Sequence, residues 1–127
     1  MSSIFIIVLA VALSNASYQA LPPYSCNPTL LTKETEVNFA STTKRGILSA
    51  DGTIYFVPDA DKSVIIACRN NRIIWRVNAS SQCGLAAVHQ AVRYLKLTST
   101  KLEAVYGKHS FLSIDRSTGK VTCEGSD

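Results

Sequence analysis

The 127-residue chain has few of the residues from which metal and catalytic sites are built. It holds two histidines, and none of its four cysteines stands in a C-x-x-C pair, which excludes the usual zinc patterns. There is no internal repeat and no low-complexity tract. Beyond residue 20 no apolar run is long enough to span a bilayer, so we expect a soluble mature chain that uses no membrane, metal or cofactor.

The first twenty residues contain no Asp, Glu, Lys or Arg, and positions 4 to 13 are an unbroken apolar run. This run has the length of a signal-peptide core and is too short to cross a bilayer. Ser14 and Ala16 suit the −3 and −1 positions of a cleavage site, and cleavage after Ala20 is the alternative. We therefore predict a signal peptide over residues 1–20, a single domain over 21–127, and secretion.

All four cysteines lie in the predicted mature domain. An even number of cysteines in a small secreted chain predicts two disulfides, and three pairings are possible. We favour Cys26 with Cys123, which would join the ends of the domain. The other bond would then join Cys68, in a central strand, to Cys83, at the start of a helix.

Three segments have the pattern of a β-hairpin, in which β-branched or aromatic runs flank a turn. Each turn contains Asp, Asn or Gly, and these residues tolerate the backbone angles of tight turns. The predicted turns are Asp51-Gly52, Asn70-Asn71 and the stretch from Asp115 to Gly119. Residues 102–106 are predicted as a strand or a short helical turn.

One segment has helical spacing, since apolar residues recur at Leu85, Val88, Val92 and Leu95. Ser80 or Ser81 could cap this helix, which we predict over residues 83–96. The stretch from Thr32 to Lys44 is ambiguous between a helix and an irregular strand. Together, these segments predict an α+β domain, in which one or two helices pack on an antiparallel sheet and disulfides crosslink the domain.

The net charge of +4 is mildly basic and permits contact with anions. The predicted hairpin and helix carry six candidate residues for RNA or anion contact: Arg69, Arg72, Arg76, His89, Arg93 and Lys96. The alternative is a solvated rim whose long side chains cover the edge of the core. Trp75 is expected in the core, and Asn78-Ala79-Ser80 is a candidate N-glycosylation sequon.

Tyr24-Ser25-Cys26 follows the predicted leader, and Cys123 lies near the C-terminus. This arrangement resembles the Y/F/W-x-C pattern of small secreted fungal effectors, in particular the RNase-like effectors of powdery mildews. The stretch Asp61–Ile66, followed by Asn71–Ile74, looks like the strand-turn-strand core of that family. The resemblance implies a ribonuclease-like fold with bridged terminal cysteines and an early helix, for which the stretch from Thr32 to Lys44 is the candidate.

The resemblance also implies a secreted virulence effector that lacks ribonuclease activity. Such a scaffold would bind a host protein, an immune receptor or RNA, after translocation into the host cell, and would suppress immunity; we expect a monomer. Ribonuclease chemistry needs a carboxylate, a histidine and an arginine on one sheet face, and no spacing forces Glu103, His109 and Arg76 together. The alternatives are an active secreted ribonuclease or RNA-binding protein, and an extracellular inhibitor or binding module.

Overall fold

Antiparallel hairpins build this chain into two five-stranded sheets that face each other. The computed structural model describes residues 25–83 and 90–126. Sheet A has the order β1-β3-β4-β5-β6 and consists of β1 (Leu31–Thr32), β3 (Gly46–Leu48), β4 (Ile54–Phe56), β5 (Val64–Arg69) and β6 (Arg72–Asn78). Sheet B has the order β10-β9-β8-β7-β2 and consists of β2 (Glu36–Asn38), β7 (Val92–Leu97), β8 (Lys101–Tyr106), β9 (Ser110–Asp115) and β10 (Val121–Ser126).

All strand pairs are antiparallel except β1 with β3. One short helix, α1 (Ala79–Cys83), follows β6. The prediction of an α+β, ribonuclease-like fold is therefore wrong, because strands make up 50% of the described residues and helix only 5%. No helix in the described part of the chain has the length and apolar character needed to cross a membrane.

The helix predicted over residues 83–96 is wrong in its second half, because Val92–Leu97 is a strand, whereas Cys83 is the last residue of α1. Val92 pairs with Tyr106 and Tyr94 pairs with Val105, so Arg93 is an extra residue in a β-bulge. The bulge turns both Val92 and Leu95 into the core although they lie three positions apart. That spacing imitates a helix. Residues 84–89, which include the other two periodic residues, lie outside the described residues.

The stretch from Thr32 to Lys44 forms no helix either. It contains the end of β1 and the whole of β2, where Val37 is buried between exposed Glu36 and Asn38. This alternation is that of a strand with one buried face. The early helix that the effector resemblance implies is thus absent from the described residues, and the resemblance rests on the secretion pattern alone.

The three predicted hairpins are confirmed. Asp51-Gly52 connects β3 to β4, and Asp115 to Gly119 connects β9 to β10. At the β5–β6 turn Asn70 and Asn71 both have positive φ, 51° and 63°. Two such angles are what a two-residue hairpin turn requires, and Asn tolerates them better than most residues. Residues 102–106 lie in a strand, β8.

The main core lies between the sheets. Sheet A contributes Ile47, Tyr55, Val57, Ile65, Ala67, Trp75 and Val77, and sheet B contributes Val37, Val92, Leu95, Leu102, Ala104, Tyr106, Leu112 and Ile114. The indole N–H of Trp75 donates to the carbonyl of Arg116 at 2.9 Å, as a buried tryptophan should find a partner. The expectation that Trp75 belongs to the core is confirmed.

A second, smaller core covers the outer face of sheet A. Phe56, Val64 and Ile66 point to this face, and Cys26 of the N-terminal segment packs on them together with Leu31 of β1 and Ile54 of β4. Strand β5 is therefore buried on both faces from Val64 to Cys68, which explains why those five residues are all apolar.

Both pairs of cysteines form disulfides, but the pairing that we favoured is wrong. The bonds are Cys26–Cys68 and Cys83–Cys123. Cys68 alternates with core-facing Ala67, so its side chain reaches the outer face, where the N-terminal segment crosses. Cys83 ends α1, which contacts β10, the strand that carries Cys123.

Candidate functional site

The structure does not gather the predicted basic residues into one surface. Arg69 and Arg72 face each other across the β5–β6 ladder, and Arg76 follows on β6. The other two described residues lie in sheet B on β7, Arg93 and Lys96. His89, like Tyr24 of the effector motif and the predicted leader, lies outside the described residues.

The cations of β7 are engaged locally. Arg93 donates to the carbonyls of Gly107 and Lys108, at 3.2 and 2.9 Å. Lys96 stands in register with Glu36 on one side. On its other side it stands in register with Glu103. Opposite charges at directly facing positions offset each other, so Lys96 adds little positive potential.

A charged cluster of Asp51, Arg69 and Arg116 lies at one end of the sandwich. Only Arg69 was among the basic residues predicted to contact RNA or anions. Its guanidinium donates to the Asp51 carboxylate at 3.0 Å and to the Thr53 hydroxyl at 2.9 Å. A second guanidinium, that of Arg116, lies 3.8 Å from the same carboxylate oxygen. The cluster lines a polar cleft of about 370 Å³ together with Ser99, Thr100, Asp115 and Ser117.

Arg116 joins the two sheets. It donates to the hydroxyl of buried Tyr55 in sheet A at 3.0 Å, and to the carbonyls of Thr98 and Ser99 beside β8 at 2.8 and 3.0 Å. Its guanidinium also lies over the Tyr55 ring, 5.6 Å from the centroid. A planar guanidinium with several fixed donors suits this bridging role better than an ammonium. The cluster therefore acts as a clamp between the sheets.

The environment of Asp51 strongly favours its charged form. The Ser49 hydroxyl and the backbone N–H of Thr53 donate to the carboxylate, and together with Arg69 they hold its pKa far below the usual range. The pKa of Asp115 is also lowered, chiefly because the Ser117 hydroxyl and backbone N–H donate to it.

The outer face of sheet B is the second feature that stands out. Tyr94, Val105 and Phe111 occupy directly opposed positions on β7, β8 and β9, and they form an apolar row across the strands. All three are half-buried. A groove of about 450 Å³ runs over them, and Lys96, Glu103 and Glu124 complete its lining.

A charged row runs beside the apolar row. It consists of Glu36, Lys96 and Glu103 in register, and Glu124 of β10 lines the same groove as Lys96 and Glu103. Burial raises the pKa of Tyr94, and the charges of Glu36 and Glu103 raise it further. The outer face of sheet B is thus an acidic, aromatic surface on a protein whose net charge is positive.

The residues considered for ribonuclease chemistry lie on different parts of the fold. Arg76 belongs to sheet A, Glu103 to the outer face of sheet B, and His109 to the exposed turn between β8 and β9. Within residues 25–83 and 90–126, no group of three or more His, Cys, Asp or Glu side chains is arranged to hold a metal ion.

The glycosylation sequon coincides with the start of α1. The Asn78 side chain accepts a hydrogen bond from the backbone N–H of Ser81 at 3.1 Å, so Asn78 is the N-cap. The prediction that a serine caps the helix is therefore wrong. Ser80 is buried, and its hydroxyl accepts from the backbone N–H of Gln90 at 2.8 Å. Glycosylation at Asn78 stays a prediction.

No family model, curated protein or solved structure matches this chain.

The sequence did not predict which residues form the two surfaces described above. It did not place Asp51 and Arg116 in the charged cluster, or Tyr94, Glu103 and Phe111 on the outer face of sheet B. The alternation of apolar and outward-facing residues along β8 could have predicted that Glu103 and Val105 share one face of the sheet. The strands β7, β8 and β9 are consecutive and pair through short turns, so their adjacency is local. Tyr94 was missed because residues 83–96 were predicted as a helix, and Glu36 because β2 joins β7 from a distant part of the chain.

Proposed function

We propose that the chain is an exported, non-catalytic binding protein, a secreted virulence effector that binds a host protein through the outer face of sheet B. The leader-like N-terminus and two disulfides support export, because disulfides persist in oxidising compartments. The ribonuclease-like scaffold is no part of this proposal. A two-sheet sandwich crosslinked by disulfides is rigid, so its outer face is preorganised and loses little conformational entropy when a partner binds.

The contrast between the two outer faces is the observation that carries the proposal. On the outer face of sheet A, Phe56, Val64 and Ile66 are buried, and the Cys26–Cys68 bond holds Cys26 of the N-terminal segment against them. In the part of the chain that the structure describes, no second layer packs on the outer face of sheet B. Binding surfaces are enriched in aromatic side chains, which the half-buried Tyr94 and Phe111 supply here, and they have a polar rim, which the neighbouring charged residues can form.

The chemistry of this face fits a basic segment of the partner. Glu36, Glu103 and Glu124 supply negative potential, and the faces of Tyr94 and Phe111 attract cations as well. An arginine side chain can stack on an aromatic ring while donating to a carboxylate, so both features favour it over a neutral group. The partner that we propose therefore presents Arg or Lys to the groove.

A binding assay with the mature, disulfide-bonded chain tests this function. The probe is a fluorescein-labelled peptide of alternating Arg and Ser residues, measured by anisotropy at low salt. Glu103→Lys should weaken binding about tenfold, because it reverses a charge beside the aromatic row. Asp59→Lys is the matched control: Asp59 is a carboxylate with an 84% exposed side chain, in the loop between β4 and β5, and its reversal should change affinity by less than about twofold.

Equal losses in the two variants would show that only net charge matters and would contradict the proposal. Cleavage of RNA by the purified chain, abolished by His109→Ala, would favour the alternative of an active ribonuclease. His109 is exposed in a turn, so this substitution leaves the sandwich intact and isolates the chemistry.

A further inference from the structure

Strand β6 forms one outer edge of sheet A. Its inner side pairs with β5, and the ladder is unbroken from Trp75 to Asn78. Among the described residues no strand pairs with its other side, so this seven-residue strand leaves backbone N–H and C=O groups unpaired by any ladder. Such an edge is a template for a further strand.

The two isoleucines of β6 are unusually exposed. Ile73 is 45% exposed and Ile74 is 41% exposed. A register shift between Ala67 and Cys68 makes Ile74 the extra residue of a bulge, which brings it out beside Ile73. Adjacent exposed β-branched residues on an edge strand are apolar anchors without an intramolecular use.

Arginines flank these anchors. Arg72 precedes Ile73 and Arg76 follows Trp75, and both are exposed. If a second copy of the chain paired with this edge in antiparallel register about Ile74, Arg72 would face Arg76, and like charges at facing positions destabilise a strand pair. The charge of Arg72 complements a carboxylate on a strand from another protein.

We propose that the free edge of β6 binds an extended acidic segment of a partner protein, which adds to sheet A as a sixth strand. Backbone hydrogen bonds supply the binding energy that does not depend on sequence, and Ile73, Ile74 and Arg72 select an acidic and apolar strand. This site is separate from the acidic outer face of sheet B, and its charge is opposite.

Anisotropy titration of the disulfide-bonded mature chain tests the site. The probe is a fluorescein-labelled peptide of alternating Glu and Val residues, and the reference probe carries Lys in place of Glu. Arg72→Glu should weaken binding of the acidic probe about tenfold, and Ile74→Thr about fivefold. Both substitutions are on exposed positions, and Thr retains the β-branched shape. Lys33→Glu, an exposed cation in the β1–β2 turn, is the matched control.

Amide chemical shifts in a titration of labelled protein should change along residues 72–78 and stay constant on β8. Equal binding of the two probes would overturn the proposal. So would binding of a single-stranded oligonucleotide that Arg72→Glu abolishes and Ile74→Thr leaves unchanged, because that pattern indicates phosphate contact. Concentration-dependent dimerisation in sedimentation experiments, removed by Ile74→Thr, would overturn it in favour of a second copy.

Discussion

At the scale of single residues, Asp51 and Arg116 make a polar join between the sheets, in addition to the apolar core. Asp51 accepts hydrogen bonds from Ser49 and Thr53 and pairs with Arg69, while Arg116 reaches from the β9–β10 turn to Tyr55. Hydrogen bonds to charged groups are among the stronger ones in proteins. Their contribution depends on the charge of Asp51, which makes it sensitive to pH.

We expect Asp51→Asn to lower the free energy of unfolding at neutral pH by about 0.5–1 kcal/mol, because it removes the charge that two arginines share, while solvent screens a carboxylate whose side chain is 47% exposed. The pKa of Asp51 is lower in the folded chain than in the unfolded one. Its stabilising effect is therefore complete above the unfolded pKa of about 4 and is lost as the pH falls toward the folded pKa. Urea unfolding at a series of pH values measures this.

The difference in stability between the native chain and Asp51→Asn should thus shrink as the pH falls below about 4. The native chain will still lose some stability in acid through Asp115, whose pKa is also lowered. Asp59→Asn is the control, since Asp59 makes only an exposed ion pair with Lys62. A difference that is constant with pH would contradict the account of the clamp.

At the scale of elements, the local sequence predicted the three hairpins correctly but wrongly predicted a helix where β7 lies. Asn70-Asn71 and Asp51-Gly52 are turns because their residues tolerate backbone angles that others avoid, and that property needs no tertiary contact. The bulge at Arg93 is different. Only the pairing of β7 with β8 reveals it, and without that pairing Val92 and Leu95 have the spacing of a helix.

The β5–β6 turn gives a prediction at this scale. Asn71→Ala should lower the free energy of unfolding by about 1 kcal/mol, because alanine at φ 63° places its Cβ against the following carbonyl. Asn71→Gly should leave stability nearly unchanged, since glycine adopts this angle without a steric cost. Thermal or urea unfolding of both variants provides the measurement, and equal losses would show that the Asn side chain itself matters.

At the scale of the whole molecule, two disulfides hold peripheral segments to the sandwich. Cys26–Cys68 fastens the N-terminal segment over sheet A, and Cys83–Cys123 fastens α1, which follows a strand of sheet A, to β10 of sheet B. Their sequence separations, 42 and 40, are nearly equal. The two bonds therefore restrict the unfolded chain to a similar extent.

We expect removal of either disulfide by paired Cys→Ala changes to lower the free energy of unfolding by about 2–4 kcal/mol. Because the two bonds reduce the entropy of the unfolded chain by similar amounts, a difference in unfolding free energy between the two variants measures the packing that each bond maintains in the folded chain. Mass spectrometry of unreduced peptides from the natural protein should find these two linkages and an N-terminus after Ala16 or Ala20. Four free thiols would contradict both the pairing and the export proposal, and an uncleaved leader would contradict the export proposal.

The sequence by itself determined the local features: the positions of three hairpins, the burial of Trp75, and an even number of cysteines that form two disulfides. These follow from backbone preferences and hydrophobicity, which act over a few residues. The tertiary structure alone decided the sandwich, the disulfide pairing and the members of each charged surface. Those depend on which hairpins lie side by side, and a pairing between distant strands is set by the energy of the whole core.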